Sequence, residues 1–415
     1  MKKIVVAHPA QQHSYKTAEA LESNDALFSY ITSVYVKNGS VTKKILSLLK
    51  GDSLKRAINR KNESLDDSQV VLFCELSGLF LLLLQRLKLP KIFYFLWWDI
   101  HNANFNRKLI KYINKNSVDA VIVYDRVSSS FLKKLNNSNV LCILDMSAPY
   151  YPFMNDILQN DSSDSFENKQ KSISIKYKNW SLMRKSKVEL EFADKFIVAS
   201  EFTKYSLVTY GVKEELINVV PYAVQPSDWE GKKKRRDNAK IKLLFVGSLT
   251  KAKGAYHFYN VIKKLPINYD VTFVGQVDKS TYLYNEMKDK VSFLGHVPKS
   301  SMESIYRENH FLVFPSLADG YGLSIVESLR VGTPVICSKN AGACNLIIEG
   351  ENGFLFDYND ENQLYELLLS ITEYDYFNLS KKAIESVKSL TIGKYAECIN
   401  NTLINWITEN QKKMR

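Results

Sequence analysis

Short apolar runs recur along the chain, separated by polar stretches with helical periodicity. In the first half the runs are KIVVA (3–7), VVLFC (70–74), KIFYFLWW (91–98), AVIVY (120–124), VLCIL (140–144) and KFIVAS (195–200). Runs apolar on both faces predict parallel strands covered by helices on either side. Intervening segments such as NRKLIKYINK (106–115) place apolar residues at helical spacing and predict the covering helices. The polar stretch 155–174 predicts a mobile surface excursion. The rhythm breaks at QPSDWEGKKKRRDNAK (225–240), where Pro, Gly and the cations of 232–236 predict a linker and a solvated charge run. A second series then begins: IKLLFVG (241–247), VTFVG (271–275), VSFL (291–294), FLVFP (311–315) and PVICS (334–338). The pattern predicts two α/β units, each built on a parallel sheet. The first spans 1–225 and the second 226–394, with an amphipathic run over 395–415 crossing back to the first. Ligands of such sheets sit beyond the carboxyl ends of the strands, which here means between the units.

Composition adds little to this picture and removes several alternatives. Hydrophobic residues make up 45%, ordinary for a soluble globular chain. Five scattered cysteines, with no CxxC pair, argue against a disulfide scaffold or a cysteine zinc site and for a reducing compartment. The greasiest stretch, LSGLFLLLL (76–84), is too short to span a bilayer, and the opening apolar run is too brief for a signal peptide. The expected location is therefore the cytoplasm, with peripheral attachment to the inner face of the membrane as an extension. A net charge of +12 draws anions, whether nucleic acid, phosphorylated ligands or an acidic membrane face.

Candidate chemistry concentrates in the second unit. In PSLADGYGLSIVESLRVGTPVI (315–336) a strand-like run leads into a loop holding Asp319, Gly320, Tyr321 and Gly322, then a helix pattern from Leu323 that carries Glu327. A helix start aims free N–H groups at the strand end and suits a diphosphate, while glycines allow close approach. Glu327, on the second turn, can accept hydrogen bonds from ribose hydroxyls, and Asp319 from a sugar. The other reading is a solvated loop before an ordinary helix. A second strand–turn–helix, FVGSLTKAKGAYHF (245–258), sets Gly247 in the turn and Lys253 directly before Gly254. A lysine there can meet phosphate charge.

These two stretches resemble the signatures of glycosyltransferase family 4 (glycosyl transferases group 1), the second matching its E-x7-E motif. FADKFIVASEFTKYSLVTYGVKEELINVVPYAV (192–224), LGHVPKSSMESIYRENHFLVFPS (294–316) and IIEGENGFLFDYND (347–360) resemble further segments of the family. The resemblance implies a GT-B fold, two Rossmann-like parallel-sheet domains facing a central cleft. It also implies retaining transfer of a sugar, a hexosyl group, from a nucleotide sugar to a glycan or lipid-linked acceptor in cell-surface polysaccharide or glycoconjugate synthesis. On that resemblance Lys253 would hold the donor diphosphate, Glu327 the ribose and Asp319 the donor sugar. Gly322 and Leu323 would offer backbone N–H groups to phosphate, and Gly247, Ser248, Gly254, Gly320 and Tyr321 complete the donor-binding set. Three positions depart from the family pattern. Ser248 stands where arginine is usual, with Lys251 as a substitute charge. Asp319 stands for glutamate. Ala223 and Gln225 stand where glycine and aspartate are common. These departures support the other class of reading, a non-catalytic GT-B-fold partner subunit that binds nucleotide or glycan.

The first unit is expected to hold the acceptor. His8, Gln11, Gln12, His13 and Ser14 crowd the turn after the first strand run. They form either a helix start capped by Ser14 or a cleft surface in which Gln12 or His13 touches sugar or diphosphate. His101, read as ending the strand of 91–98, is the candidate catalytic histidine beside the donor sugar or else a structural one. Residues 42–61 carry seven cations, one acid and apolar positions at helical spacing, which suits a solvated helix or an anionic lipid surface. No D-x-D occurs, so neither a metal nor a cofactor is expected beyond the nucleotide-sugar substrate. The first strand–turn–helix lacks G-x-G-x-x-G, and no GxxxxGK[ST] occurs, which argues against a dehydrogenase and a P-loop NTPase. Nucleic-acid binding has charge alone behind it and is not expected.

Overall fold

All strands among the described residues pair in parallel, in two sheets. The structure is a computed structural model and describes residues 2–413 except 47–57, 59, 88, 162–172, 226, 228–239, 372 and 373. The first sheet contains β1 (Ile4–Ala7), β2 (Leu27–Thr32), β3 (Val70–Leu72), β4 (Ala120–Tyr124), β5 (Leu141–Met146), β6 (Lys195–Val198) and β7 (Ile217–Val219) in the order β3-β2-β1-β4-β5-β6-β7. The second contains β8 (Ile241–Val246), β9 (Tyr269–Val274), β10 (Val291–Gly295), β11 (Phe311–Phe314), β12 (Val335–Ser338) and β13 (Gly353–Phe356) in the order β10-β9-β8-β11-β12-β13. Every residue of β1, β4, β5, β6, β11 and β12 is buried, as expected of strands covered on both faces.

Strand order reverses between β1 and β4 in one sheet and between β8 and β11 in the other. At such a switch point the connections leave to opposite faces and a crevice opens at the carboxyl ends. The segments after β8 and β11 are the two motif stretches, and the segment after β1 is the His8–Ser14 turn. Topology alone therefore points these segments at the crevices.

Several expected elements differ. KIFYFLWW is helical, the opening turns of a helix over Lys91–Asn116. A short apolar run does not distinguish strand from buried helix. Here Pro90 precedes the first turn, and the buried positions (His101, Asn102, Phe105, Asn106, Leu109, Ile113) trace a helical stripe. The strands LFSYIT (β2), INV (β7) and GFLF (β13) break or shorten the apolar run and escape a search for continuous ones. The expected excursion over 155–174 is helical at both ends, Tyr151–Asn160 and Ile173–Phe192, and 162–172 lies outside the described residues. So do 226 and 228–239 of the linker and 47–57 and 59 of the basic segment.

The two units meet tightly. One buried apolar cluster takes in Ile4, Tyr124 and Ile143 from the first and Leu312, Tyr321 and Ile325 from the second. The helix Ile392–Lys413 packs along the helix Ser14–Glu22. Tyr395 Oη lies 3.2 Å from Thr17 Oγ1, and Lys2 Nζ donates to the Ile404 carbonyl at 3.1 Å.

A charged clasp joins the units on another side. Asp161, just past the helix Tyr151–Asn160, lies 2.7 Å from His257 Nε2 and accepts Lys251 Nζ on its backbone carbonyl at 2.8 Å. Glu361 takes the other imidazole nitrogen at 2.9 Å. Burial pushes the His257 pKa down, but the hydrogen bonds and charges of Asp161 and Glu361 outweigh it and raise it to about 9. Because the folded pKa lies above the unfolded one, this stabilisation is complete below about pH 6.5 and lost as pH rises through about 9. The shift corresponds to on the order of 3 kcal/mol. Melting temperature should therefore fall between pH 6.5 and 9 in the native protein. A His257→Gln variant should flatten that part of the curve; an unchanged slope would remove His257 as its source.

Candidate functional site

The site is built on the turn after β8. Gly247 (φ +156°) leaves the strand, a short 3-10 turn covers Lys251–Lys253, and Gly254 (φ +68°) turns the chain into the helix Ala255–Ile262. A β-carbon on Gly254 would lie 1.7 Å from the Pro315 carbonyl oxygen, so this turn is pressed against the end of β11. The Lys253 stem runs back over Gly247, whose added β-carbon would sit 3.7 Å from Lys253 Cγ and Cδ. Its ammonium forms an ion pair with Asp319 Oδ2 and stands 5.2 Å over the Phe314 ring. Ser248 contributes a backbone acceptor to the turn, its carbonyl receiving the Thr250 N–H at 2.9 Å.

The acidic loop after β11 is held firmly. Asp319 N–H donates to the Asn340 carbonyl (3.1 Å), Gly342 N–H to the Asp319 carbonyl (3.0 Å) and Ala343 N–H to that of Tyr321 (2.6 Å). Asp319 Oδ1 accepts the Tyr321 N–H at 3.1 Å, which fixes the carboxylate while Oδ2 faces Lys253. Gly322 (φ +82°) then caps the helix Leu323–Arg330, and no side chain caps that start. A β-carbon on Gly322 would lie 3.4 Å from Phe314 ring atoms. The cation of Lys253 and the N-terminus of this helix thus share one aromatic ring as their floor. A positive helix end and an ammonium side by side are groups that attract an anion.

Glu327, one turn further, accepts a hydrogen bond from Tyr306 Oη at 2.9 Å. Burial, then the Glu327 charge, holds the Tyr306 phenol well above its ordinary pKa, so it stays a donor. Glu327 and Leu323 border a cavity of about 720 Å³ between the units, walled by Lys16 and Tyr222 on one side and Lys299 and Arg330 on the other. Burial and the neighbouring Lys299 lower the Lys16 pKa, while Glu19 and Glu327 oppose them.

Gly320 and Tyr321 serve the seam. The Gly320 carbonyl accepts Ser200 Oγ (2.6 Å) and Thr203 Oγ1 (3.2 Å), and an added β-carbon would meet the Ser147 carbonyl oxygen at 2.3 Å. Tyr321 is buried and donates its hydroxyl to the Tyr222 carbonyl at 3.2 Å. Lys251, the substitute charge for the position of Ser248, is instead committed to Asp161.

In the first unit, His13 sits at the crevice beyond β1. Its Nε2 lies 3.1 Å from Asp145 Oδ1 and 3.1 Å from Tyr222 Oη, and its ring packs edge-on against Tyr124 at 5.0 Å. Gln12 precedes it at φ +25°, a left-handed conformation uncommon for a side-chain-bearing residue. His8 is buried, and burial drives its pKa down to about 3, so the ring is neutral. His101 does not end a strand. It lies within the helix Lys91–Asn116, fully buried, with Ser33 Oγ 3.1 Å from Nε2 and Ser77 Oγ 3.0 Å from Nδ1. Burial lowers its pKa.

Known proteins resemble this chain in fold and, over part of its length, in sequence. Residues 227–389 match the family model described as glycosyl transferases group 1. An uncharacterized 41.2 kDa protein in the cps region of Klebsiella pneumoniae is 30% identical over 202 residues, 46% of this chain and 56% of that one. The O-antigen chain mannosyltransferase RfbU of Salmonella typhimurium is 32% identical over 136 residues, covering 31% and 37%. The capsular polysaccharide biosynthesis glycosyltransferase CapM of Staphylococcus aureus is 25% identical over 256 residues, covering 55% and 67%. The first two matches thus span about half or less of those relatives' length. Among solved structures, the lipopolysaccharide outer core galactosyltransferase WaaB superposes with a TM-score of 0.63 at 14% identity, over 98% of this chain and 99% of that one. Anabaena HepE, in complex with UDP-glucose, gives 0.60 at 14% identity over 98% and 100%. The two-sheet architecture is the GT-B fold. The second unit is similar to a glycosyl transferases group 1 domain.

Sequence reasoning names Lys253, Asp319 and Glu327 as candidates, and the structure pairs Lys253 with Asp319, but it does not name the residues around them. Tyr306 is 21 residues from Glu327, and Lys16, Tyr222 and Lys299 come from three separate elements. Of these only Tyr222 carried a usable signal, its place in the VVPYAV segment at the end of the first unit.

Proposed function

We propose that this protein is a retaining glycosyltransferase that moves a sugar, a hexosyl group, from a nucleotide-diphosphate sugar to a glycan or lipid-linked acceptor, in the synthesis of a surface polysaccharide or glycoconjugate. The observation that carries the reading is the shared floor of Phe314. It brings the Lys253 ammonium and the open helix start at Gly322–Leu323 together beside a cavity that Glu327 borders. The names of RfbU and CapM support the pathway class, and the UDP-glucose bound to HepE supports the donor class.

In this reading the diphosphate lies against the helix start and Lys253, and the ribose hydroxyls bond Glu327. As the glycosidic bond lengthens, negative charge grows on the leaving diphosphate. A cation and aligned N–H dipoles stabilise that charge more in the transition state than in the ground state. Asp319 is oriented by the Tyr321 N–H to meet the donor sugar, and His13 faces the same crevice from the first unit.

The test is a thermal-shift screen of nucleoside diphosphates and nucleotide sugars. A ligand present at a hundred times its Kd stabilises by about 2.7 kcal/mol if it binds only the folded state. One nucleoside family should raise the melting temperature, and its sugar conjugate should then give a product of unchanged anomeric configuration by NMR. Inverted product would refute retention. Binding without turnover on any acceptor would favour a non-catalytic partner subunit, and no shift with any nucleotide would defeat the donor assignment.

A further inference from the structure

A second cationic corner lies in the first unit, at the carboxyl end of β4. Arg126 leaves that strand at φ +70°, a left-handed conformation uncommon for a residue with a β-carbon. Glu189 of the helix Ile173–Phe192, itself buried, fixes it there. Its carboxyl oxygens accept the Arg126 N–H at 2.7 Å and the Ser128 N–H at 2.9 Å. Strain of this kind persists only where the surroundings enforce it, and it clusters at ligand sites. The Arg126 guanidinium stands 5.8 Å over the Tyr151 ring, and its side chain is 30% exposed. Its Nε lies 3.0 Å from Asp125 Oδ2, an ionic contact whose angle makes no hydrogen bond. Asp125 is its one ionic partner among the described residues.

A second cation stands near enough to be felt. Lys178, on the same helix as Glu189, makes no hydrogen bond or ion pair among the described residues, and its ammonium lies 6.0 Å over the Phe95 ring. Partial burial, then the charges of Arg126 and Lys91, lower its pKa. The acids nearby do not answer these cations in full. Asp99 is committed to Lys185, to Tyr177 Oη (2.7 Å) and to Ser181 Oγ (3.1 Å). Burial raises the Glu189 pKa to about 8, against the pull of its two N–H donors, so at neutral pH it cancels little charge. Like charges kept together with Asp125 as the one answering acid attract a further anion.

Position identifies the ligand, and this step rests on the transferase reading. The loop after β5 links the corner to the donor loop. Ser147 N–H donates to Asp125 Oδ1 at 3.4 Å, and a β-carbon on Gly320 would lie 2.3 Å from the Ser147 carbonyl oxygen. The donor diphosphate already has Lys253 and the helix start at Gly322 on the second unit. An anion held by Arg126 is on the first unit, one loop away, and belongs to the other substrate. We propose that Arg126 and Lys178 form an anion subsite for an acidic group of the acceptor, a phosphate or a sugar carboxylate. The planar fork of arginine matches both groups.

Ligand-observed NMR titration of glucose 6-phosphate, glucuronate and glucose against the full chain tests the proposal. One acid at least is expected to bind about tenfold or more tighter than glucose. Preference for the phosphate marks a phosphorylated acceptor, and preference for glucuronate an acceptor with an acidic sugar. Arg126→Gly is the decisive variant. Glycine adopts φ +70° without strain, so the melting temperature should hold while acid binding weakens about 10- to 100-fold, the worth of charge-assisted hydrogen bonds. Lys178→Gln, which leaves the backbone of β4 untouched, should weaken acid binding about tenfold and carries the test if Arg126→Gly melts early. Both variants should keep the response to nucleoside diphosphate, and Lys253→Ala should bind the acids like wild type. Those two readouts separate this subsite from the donor reading. The proposal is overturned if neither acid binds, if glucose binds as tightly as both acids, or if either variant binds them like wild type. It is also overturned if Lys253→Ala abolishes acid binding, which would put the anion at the donor site alone.

Discussion

Lys253→Ala should lower transfer by about 10²–10³, or about 3–4 kcal/mol of transition-state stabilisation, and leave a folded protein. Lys253 is partly exposed, its ammonium sits over Phe314, and its main ionic partner is Asp319, so truncation opens no cavity in the core. What it removes is the one cation found beside the helix start among the described residues of this turn. The leaving diphosphate would then be stabilised by backbone dipoles alone. Two controls distinguish a direct role from a supporting one. If Lys253 acts on phosphate, the variant should lose affinity for the nucleoside diphosphate and much less for the nucleoside. If it acts only by holding Asp319, then Asp319→Asn should reproduce the whole loss, and the double variant should be no worse than either single one. Wild-type turnover in Lys253→Ala, or equal weakening of nucleoside and diphosphate, would remove the assignment.

The legible part of this molecule is the part written in contiguous residues. β1, β4 and β11 are buried throughout and β8 over Leu243–Phe245, so runs of apolar residues announce them. The motif residues follow β8 and β11 directly, so locating the strands also located the candidates Lys253, Asp319 and Glu327. Illegible were the features decided by packing at a distance. KIFYFLWW has the composition of a strand. It is a helix because residues beyond it, from His101 to Ile113, bury one helical stripe and carry the same helix through the run. The expected place of His101 at a strand end failed with it. Tertiary contacts also redirect single charges: Lys251 looked available for phosphate, yet Asp161, 90 residues away, takes it. Likewise nothing near Glu327 in the chain announces Tyr306 or Lys16. The apolar residues of 76–100 were visible as composition, but only the fold shows that so many of them face outward together.

Gly254→Ala should be the most damaging single methyl group in the second unit. Two costs add. The residue sits at φ +68°, where a β-carbon costs about 1–2 kcal/mol. In addition the new carbon would lie 1.7 Å from the Pro315 carbonyl oxygen and 2.6 Å from its carbon, both backbone atoms that no rotamer change can clear. The turn after β8 must then move away from the end of β11, for a total of about 3 kcal/mol or more. That same movement parts Lys253 from Asp319 and from the Phe314 floor, so donor binding should fail together with stability. Gly211→Ala isolates the torsional share, because Gly211 has φ +90° and nothing within 4 Å of its added carbon. At about 2–4 °C per kcal/mol for a domain of this size, Gly254→Ala should lower the melting temperature by roughly 10 °C and Gly211→Ala by about half that or less. Calorimetry on the two variants decides the matter. If they melt together, and Gly254→Ala keeps its response to nucleotide, the close approach of the two loops does not shape the site and the geometric case for it fails.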